Sequence, residues 1–359
     1  MEEMKSCWHL VKYYWRENRS GMKTLIAENL MLCGFVILLL IFPLPSLSFA
    51  FEYAKFEPPD GRVYHCGQAE VRPQSTSSIT VDWDGLEKYT KTSGHRPIMI
   101  MHYITLDPFG YSLLKSSISE IAHQPHDYIA QIGLDFYSHP REKNGQTRKD
   151  ITREIAQGHY DERIREFAQL LLDMGIPIFL RPGFEFGGNG YGQYASKIYW
   201  TDAWKRIYTI FKAEGVENVA FVWNTLDAQD FMEYYPGDQY VDWWAVNIFN
   251  NEAAKDEFIN TFITEAARHK KPVMIAESTP RYIGAGQGKE SWNNWYKPYF
   301  ELLSKYSHIK AFCYINASWD NYYDKTFNHD CRIQINKYVT THYKSVLSDP
   351  KFIHSGTAR

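Results

Sequence analysis

Residues 161–186 read DERIREFAQLLLDMGIPIFLRPGFEF. In the first half, Ile164, Phe167, Ala168, Leu171 and Leu172 fall on one face of a helix. In the second, Pro177–Phe186 is a short run, mostly apolar, bounded by turn residues, which fits a buried strand. A helix leading into a buried strand is one unit of an alternating α/β fold. The same reading extends outward in both directions. Apolar runs occur at Val63–Gln68, Pro97–Leu106, Ile129–Tyr137, Pro177–Phe186, Val219–Asn224, Val241–Phe249, Pro272–Ser278 and Ile309–Trp319. Helical stretches lie between them, one of which places Phe258, Ile259, Phe262, Ile263, Ala266 and Ala267 on a single face.

Strand starts separated by about 22 to 48 residues are the spacing of repeated βα units, which require parallel strands. Eight of them predict a closed (β/α)8 barrel, because crossover helices cover parallel strands and closure removes exposed edges. The alternative, a doubly wound open sheet, calls for a glycine-rich phosphate loop after the first strand. Cys66-Gly67-Gln68-Ala69 offers none. A length of 359 residues suits two average domains, but barrels run past 250 residues as one, and no linker or repeat appears beyond residue 60. A single barrel domain over 51–359 is therefore expected.

Residues 30–42, LMLCGFVILLLIF, carry no charge and are followed by Pro43, Pro45 and the small-residue pattern Ser48-Phe49-Ala50. That is the layout of a secretory signal over residues 1–50, cleaved after Ala50, with 1–21 as an extended leader if translation starts at Met22. An uncleaved membrane anchor is the alternative, although the apolar run falls short of the roughly 20 residues a span needs. Either way the remainder leaves the cytosol, for a secreted or periplasmic location. Contact with a membrane is expected only if the segment is retained.

A net charge of −3 with 23% charged residues sets nucleic acid aside as a partner. The chain holds 11 Trp and 26 Tyr, flat amphipathic rings of the kind that hold sugars. Three cysteines remain beyond residue 50: Cys66, Cys313 and Cys331. A Cys313–Cys331 bridge is conceivable, and a buried free thiol at Cys313 equally so. No ligand set for a metal is evident: His123 and His126 form an isolated pair, read as a loop feature. No cofactor is expected.

In a barrel the active site lies at the carboxyl-terminal ends of the strands. The fourth run ends in Arg181-Pro182-Gly183-Phe184-Glu185, and alternation assigns Arg181 and Glu185 to one face. The seventh ends in Ala276-Glu277-Ser278. A carboxylate closing an apolar strand is paired, hydrated or used. Two carboxylates facing each other across a mouth are what glycoside hydrolysis requires, one to protonate the leaving oxygen, the other to attack or to activate water.

On LRPGFEFGGNG (180–190), NVAFVWN (218–224), YYPGDQYVDWWAVNIF (234–249) and KPVMIAEST (271–279), the chain resembles glycoside hydrolases of clan A, and within it family 26, the mannanases and related β-glucanases. The resemblance covers about 60–345. It implies cleavage of a β-linked mannan- or glucan-like polysaccharide with retention, internal cutting being favoured. It also implies Glu185 as acid/base and Glu277 as nucleophile. Two positions depart from the pattern. Phe184 stands where the family has a histidine, and Asn247-Ile248-Phe249 lacks the sixth-strand tyrosine that usually supports the nucleophile. Arg181, Asn224 and Asn247 are candidate substrate contacts, with Trp223, Trp319, Tyr191 and His102. Trp223, Asn224 and Trp319 close strands, Tyr191 and Tyr194 follow the acid/base loop, and His102 with Asp107 follows the second strand. Rim or core packing is the competing reading of each, and of Trp243 and Trp244 at least one belongs to the core. The competing reading of the whole chain is a noncatalytic glycan-binding barrel serving polysaccharide synthesis or export.

Overall fold

The computed structural model describes residues 53–69, 82–106, 118–124, 127–138, 149–187, 194, 196–320 and 324–356. The signal segment, Asp107, His126 and Tyr191 lie outside them. Eight parallel strands form the barrel: β1 (Val63–Ala69), β2 (Met99–Thr105), β3 (Ile129–Asp135), β4 (Ile178–Pro182), β5 (Val219–Thr225), β6 (Trp243–Ile248), β7 (Val273–Ser278) and β8 (Ile309–Asn316). They pair in sequence order, and β1 closes the ring by pairing with both β8 and β2. All eight sequence-predicted strands are present.

Helices cover the outside: α1 (Trp83–Ser93), α2 (Thr152–Ala156), α3 (Asp161–Asp173), α4 (Lys197–Ala213), α5 (Glu257–Arg268), α6 (Lys297–Lys305) and α7 (Lys337–Leu347). The two helical faces read from the sequence are α3 and α5. Ile164, Phe167, Ala168 and Leu171 are buried, as are Ile259, Phe262, Ile263 and Ala266. Asp256 starts α5 by accepting the Ile259 amide at 3.1 Å, satisfying one of the N–H groups that a helix start leaves without an intrahelical partner.

Strand alternation divides the core in two. Met99, Met101, Phe179, Val222, Trp243, Ala245, Met274, Ala276, Ala311 and Cys313 fill the barrel interior. The intervening positions, such as Ile100, Ile104, Leu180, Phe221, Trp223, Trp244 and Phe312, pack with the helices. Trp243 and Trp244 thus belong to opposite layers, and both are fully buried. A ninth strand, β9 (Phe352–Ile353), absent from the sequence reading, pairs with Val63 and Tyr64 at the start of β1. Cys66, Cys313 and Cys331 are buried free thiols. The strand partner of Cys313 is Cys66, not Cys331, whose sulfur instead lies 3.5 Å from the Pro280 carbonyl.

Candidate active site

Glu185 reaches the barrel mouth by a tight turn rather than by strand alternation. β4 stops at Pro182, and Gly183, Glu185 and Gly187 have φ of 53°, 58° and 78°. The left-handed region is strained for a residue with a side chain, so the backbone at Glu185 is held from outside. The Gly183 amide donates to the Leu134 carbonyl at 2.8 Å, Trp200 Nε1 donates to the Gly183 carbonyl at 3.1 Å, and Thr225 Oγ1 donates to the Phe186 carbonyl at 3.1 Å. The turn is thereby fastened to β3, α4 and β5. Glu185 therefore joins Arg181 at the mouth through this turn and not, as alternation along the strand predicts, as a residue of β4.

Arg181, fully buried, projects into the barrel, and its Nη1 forms an ion pair of 2.8 Å with Oε1 of the buried Glu277. The same nitrogen donates to Asn224 Oδ1 at 2.9 Å. Asn224 Nδ2 donates to Asn247 Oδ1 at 3.2 Å, and Asn247 Nδ2 donates to Glu185 Oε1 at 2.7 Å. One chain of hydrogen bonds therefore runs from Glu277 through β4, β5 and β6 to Glu185. Burial works against charge on Arg181, but Glu277, Tyr103 and Glu185 outweigh it and raise its pKa.

Tyr103 on β2 was not singled out by sequence. Its hydroxyl hydrogen-bonds to Glu277, and burial together with that carboxylate raises its pKa well above the usual phenol value. Phe184 packs against its ring at 5.2 Å, and the Arg181 guanidinium lies 5.6 Å from one ring centre and 5.1 Å from the other. Gly133, the β3 partner of Tyr103, makes room for this layer: a Cβ there would lie 2.8 Å from Tyr103 and 3.1 Å from Phe184.

Two candidate contacts face the wrong way. Trp223 is fully buried, packs on Phe186 and Trp244 among the helices, and donates from Nε1 to the Tyr234 carbonyl at 3.1 Å. His102 is buried on β2 between the interior positions Met101 and Tyr103, so it shares the helix-facing side with Ile100 and Ile104. Burial lowers its pKa to about 4. Tyr194 is likewise buried, stacked on Tyr137 at 5.3 Å. Trp319, half-buried beyond β8, packs against Phe327 at 5.2 Å. A shallow recess open to solvent borders Asn247 and is lined by Leu226, Asp227, Phe249, Asn250 and Arg281 among others. Among the described residues no group of three or more His, Cys, Asp or Glu is placed to hold a metal, and no helix is long and apolar enough to cross a membrane.

A (β/α)8 barrel with two carboxylates joined across its carboxyl-terminal mouth has the architecture of clan A glycoside hydrolases. The glycosyl hydrolase family 26 model matches residues 144–308, which include both glutamates. The sequence is 25% identical to the β-1,3-xylanase TXYA of a Vibrio species over 77% of this chain and 65% of that protein. It is 28% identical to a β-1,3-xylanase of an Alcaligenes species over 56% of this chain and 49% of the relative. The chain thus spans from about half to just under two thirds of the length of these relatives. In fold it is similar to a family 26 β-mannanase from Bacteroides ovatus, with a TM-score of 0.56 and 14% identity over 83% of this chain and 92% of that one. The chain is thus similar to glycoside hydrolase family 26, in sequence over residues 144–308 and in fold over 83% of its length.

Proposed function

We propose that the chain is an exported glycoside hydrolase that cleaves a β-linked polysaccharide internally with retention of configuration. The observation that carries this reading is the hydrogen-bonded chain Glu277–Arg181–Asn224–Asn247–Glu185. It gives the two carboxylates different surroundings. Glu277 is buried against a cation, the setting of an ionised nucleophile. Glu185 is more exposed and held by a neutral amide, the setting of a group that gives and takes a proton within one turnover.

In the reaction, Glu185 protonates the glycosidic oxygen while Glu277 attacks the anomeric carbon. Water, deprotonated by Glu185, then releases the covalent sugar with overall retention. Trp319 supplies an aromatic face for the sugar before the cleavage point. The relatives named β-1,3-xylanases make β-1,3-xylan the first substrate to assay, with β-1,4-mannan and mixed-linkage glucan beside it.

The test separates the two glutamates. Glu277→Ala abolishes activity on every substrate, and azide restores it, giving a glycosyl azide of inverted configuration. Glu185→Ala loses far more activity on polysaccharide than on an activated aryl glycoside, and azide then gives a product of retained configuration. The opposite pattern exchanges the roles. Binding of glycan with no cleavage of any substrate by the unaltered protein replaces the hydrolase reading with that of a glycan-binding barrel.

A further inference from the structure

β7 contains one residue more than its neighbours at the point where Glu277 emerges. Against β6 the pairs run Val246 with Ile275, then Asn247 with Glu277, passing over Ala276. Against β8 they run Ile275 with Phe312, then Ser278 with Tyr314, so three steps on β7 match two on its partner. This is a β-bulge, a device that re-aims a side chain. Met274 and Ala276 are interior residues, so unbroken alternation would turn Glu277 outward among the helices, a charge buried without a cation. The bulge turns Glu277 inward, onto Arg181.

A side chain from the far side of the barrel reaches the bulge. Gln131 lies on β3, four strands from β7 in the ring of eight, and is fully buried. Its Nε2 donates to the carbonyl oxygen of Ala276, the residue passed over, at 2.8 Å, and lies 3.1 Å from Met101 Sδ. Its Oε1 is buried with no hydrogen-bond partner among the described residues. A primary amide in a barrel core filled by Met, Ala, Val and Phe is unfavourable unless its donor bond does something an apolar side chain could not.

We infer that Gln131 is a positioning residue: by holding the Ala276 carbonyl across the barrel it fixes the β7 bulge and so the aim of the Glu277 carboxylate. The inference rests on the reading of Glu277 as nucleophile and adds what orients it. Gln131→Met keeps the length and removes the donor. Gln131→Asn keeps the amide but is one methylene too short to reach. Both lower kcat by about 10- to 100-fold with KM little changed, the scale of a nucleophile displaced by up to an ångström. The loss is equal on polysaccharide and on an activated aryl glycoside, because the defect acts through the nucleophile and not the proton donor. The rate at which an activated 2-fluoro glycoside labels Glu277 falls by the same factor, and in crystals of the variant the Arg181–Glu277 contact lengthens.

Wild-type kcat and labelling rate per folded molecule, or an unchanged Arg181–Glu277 contact, overturn the inference. If Gln131→Met does not fold, Gln131→Asn carries the same measurements, and the crystal structure judges the geometry independently of turnover. A Glu277→Ala protein that stays active refutes the nucleophile assignment itself, an outcome distinct from either of these.

Discussion

At the scale of single residues, the hydroxyl beside Glu277 belongs to Tyr103 on the second strand, while the sixth strand supplies Asn247. Tyr103→Phe keeps the ring between Gly133, Phe184 and Arg181 and removes only the O–H. A hydrogen bond to a charged partner contributes about 1.5–3 kcal/mol, so the variant is expected to melt a few degrees lower and, because the bond lies on the attacking carboxylate, to lose about tenfold or more in kcat. Steady-state kinetics beside thermal unfolding check this, and an unaltered kcat removes Tyr103 from the site. Both glutamates, Arg181, Asn224 and Asn247 were legible because polar residues stand out at the ends of apolar strands. Trp223 and His102 were misread because each adjoins an inward-facing position, and neighbours on a strand face opposite ways. Choosing Asn224 for the mouth already excluded Trp223. Tyr103 gave no such signal, since an aromatic residue in an apolar strand reads as core.

At the scale of elements, every barrel strand was legible from apolar runs and turn residues, but the two local irregularities that deliver the carboxylates were not. Periodicity along one strand carries no information about its register against the next, so the β7 bulge was invisible. The turn after β4 had its glycines in view, but not the left-handed backbone at Glu185 itself. Gly187 shows what that turn requires. A Cβ there would lie 2.1 Å from the Ala228 Cβ, at a φ that favours glycine. Gly187→Ala is therefore expected to shift the turn and to lower kcat/KM on polysaccharide about tenfold or more, with less effect on an activated aryl glycoside. Adding Ala228→Gly relieves the clash and restores part of the loss. Equal activity in the single and double variants would show that the clash is not what disturbs Glu185.

At the scale of the whole molecule, the end of the barrel opposite the mouth is tied by a buried network. His65 Nδ1 lies 2.9 Å from His354 Nδ1, His65 Nε2 2.7 Å from the Tyr89 hydroxyl, and that hydroxyl 2.7 Å from the hydroxyl of Tyr343. His354 Nε2 faces the Leu347 carbonyl at 3.0 Å and must donate to it. With both rings neutral, His65 then donates to His354 and accepts from Tyr89. Burial lowers the pKa of His65 well below its ordinary value, and His354 and His95 add to the effect. Burial likewise brings His354 to about 4, with His95 and Arg62 acting in the same direction. Lys344 faces the network through His95. The unfolded chain therefore binds protons that the folded one refuses, and stability falls as pH drops from about 6.5 toward 4. His102, buried on β2, adds on the order of 3 kcal/mol to the same total decline. Urea titrations between pH 7.5 and 4 are expected to show this decline, shallower in His354→Gln; identical slopes would place its origin elsewhere. The pairing of Phe352 with Val63 in β9 and β1 has a practical side. The backbone enters and leaves the barrel side by side, at the end remote from the carboxylates. A tether, a display anchor or a grafted carbohydrate-binding module joined at either point would hang beneath the barrel, leaving the catalytic rim free to ride along an insoluble fibre.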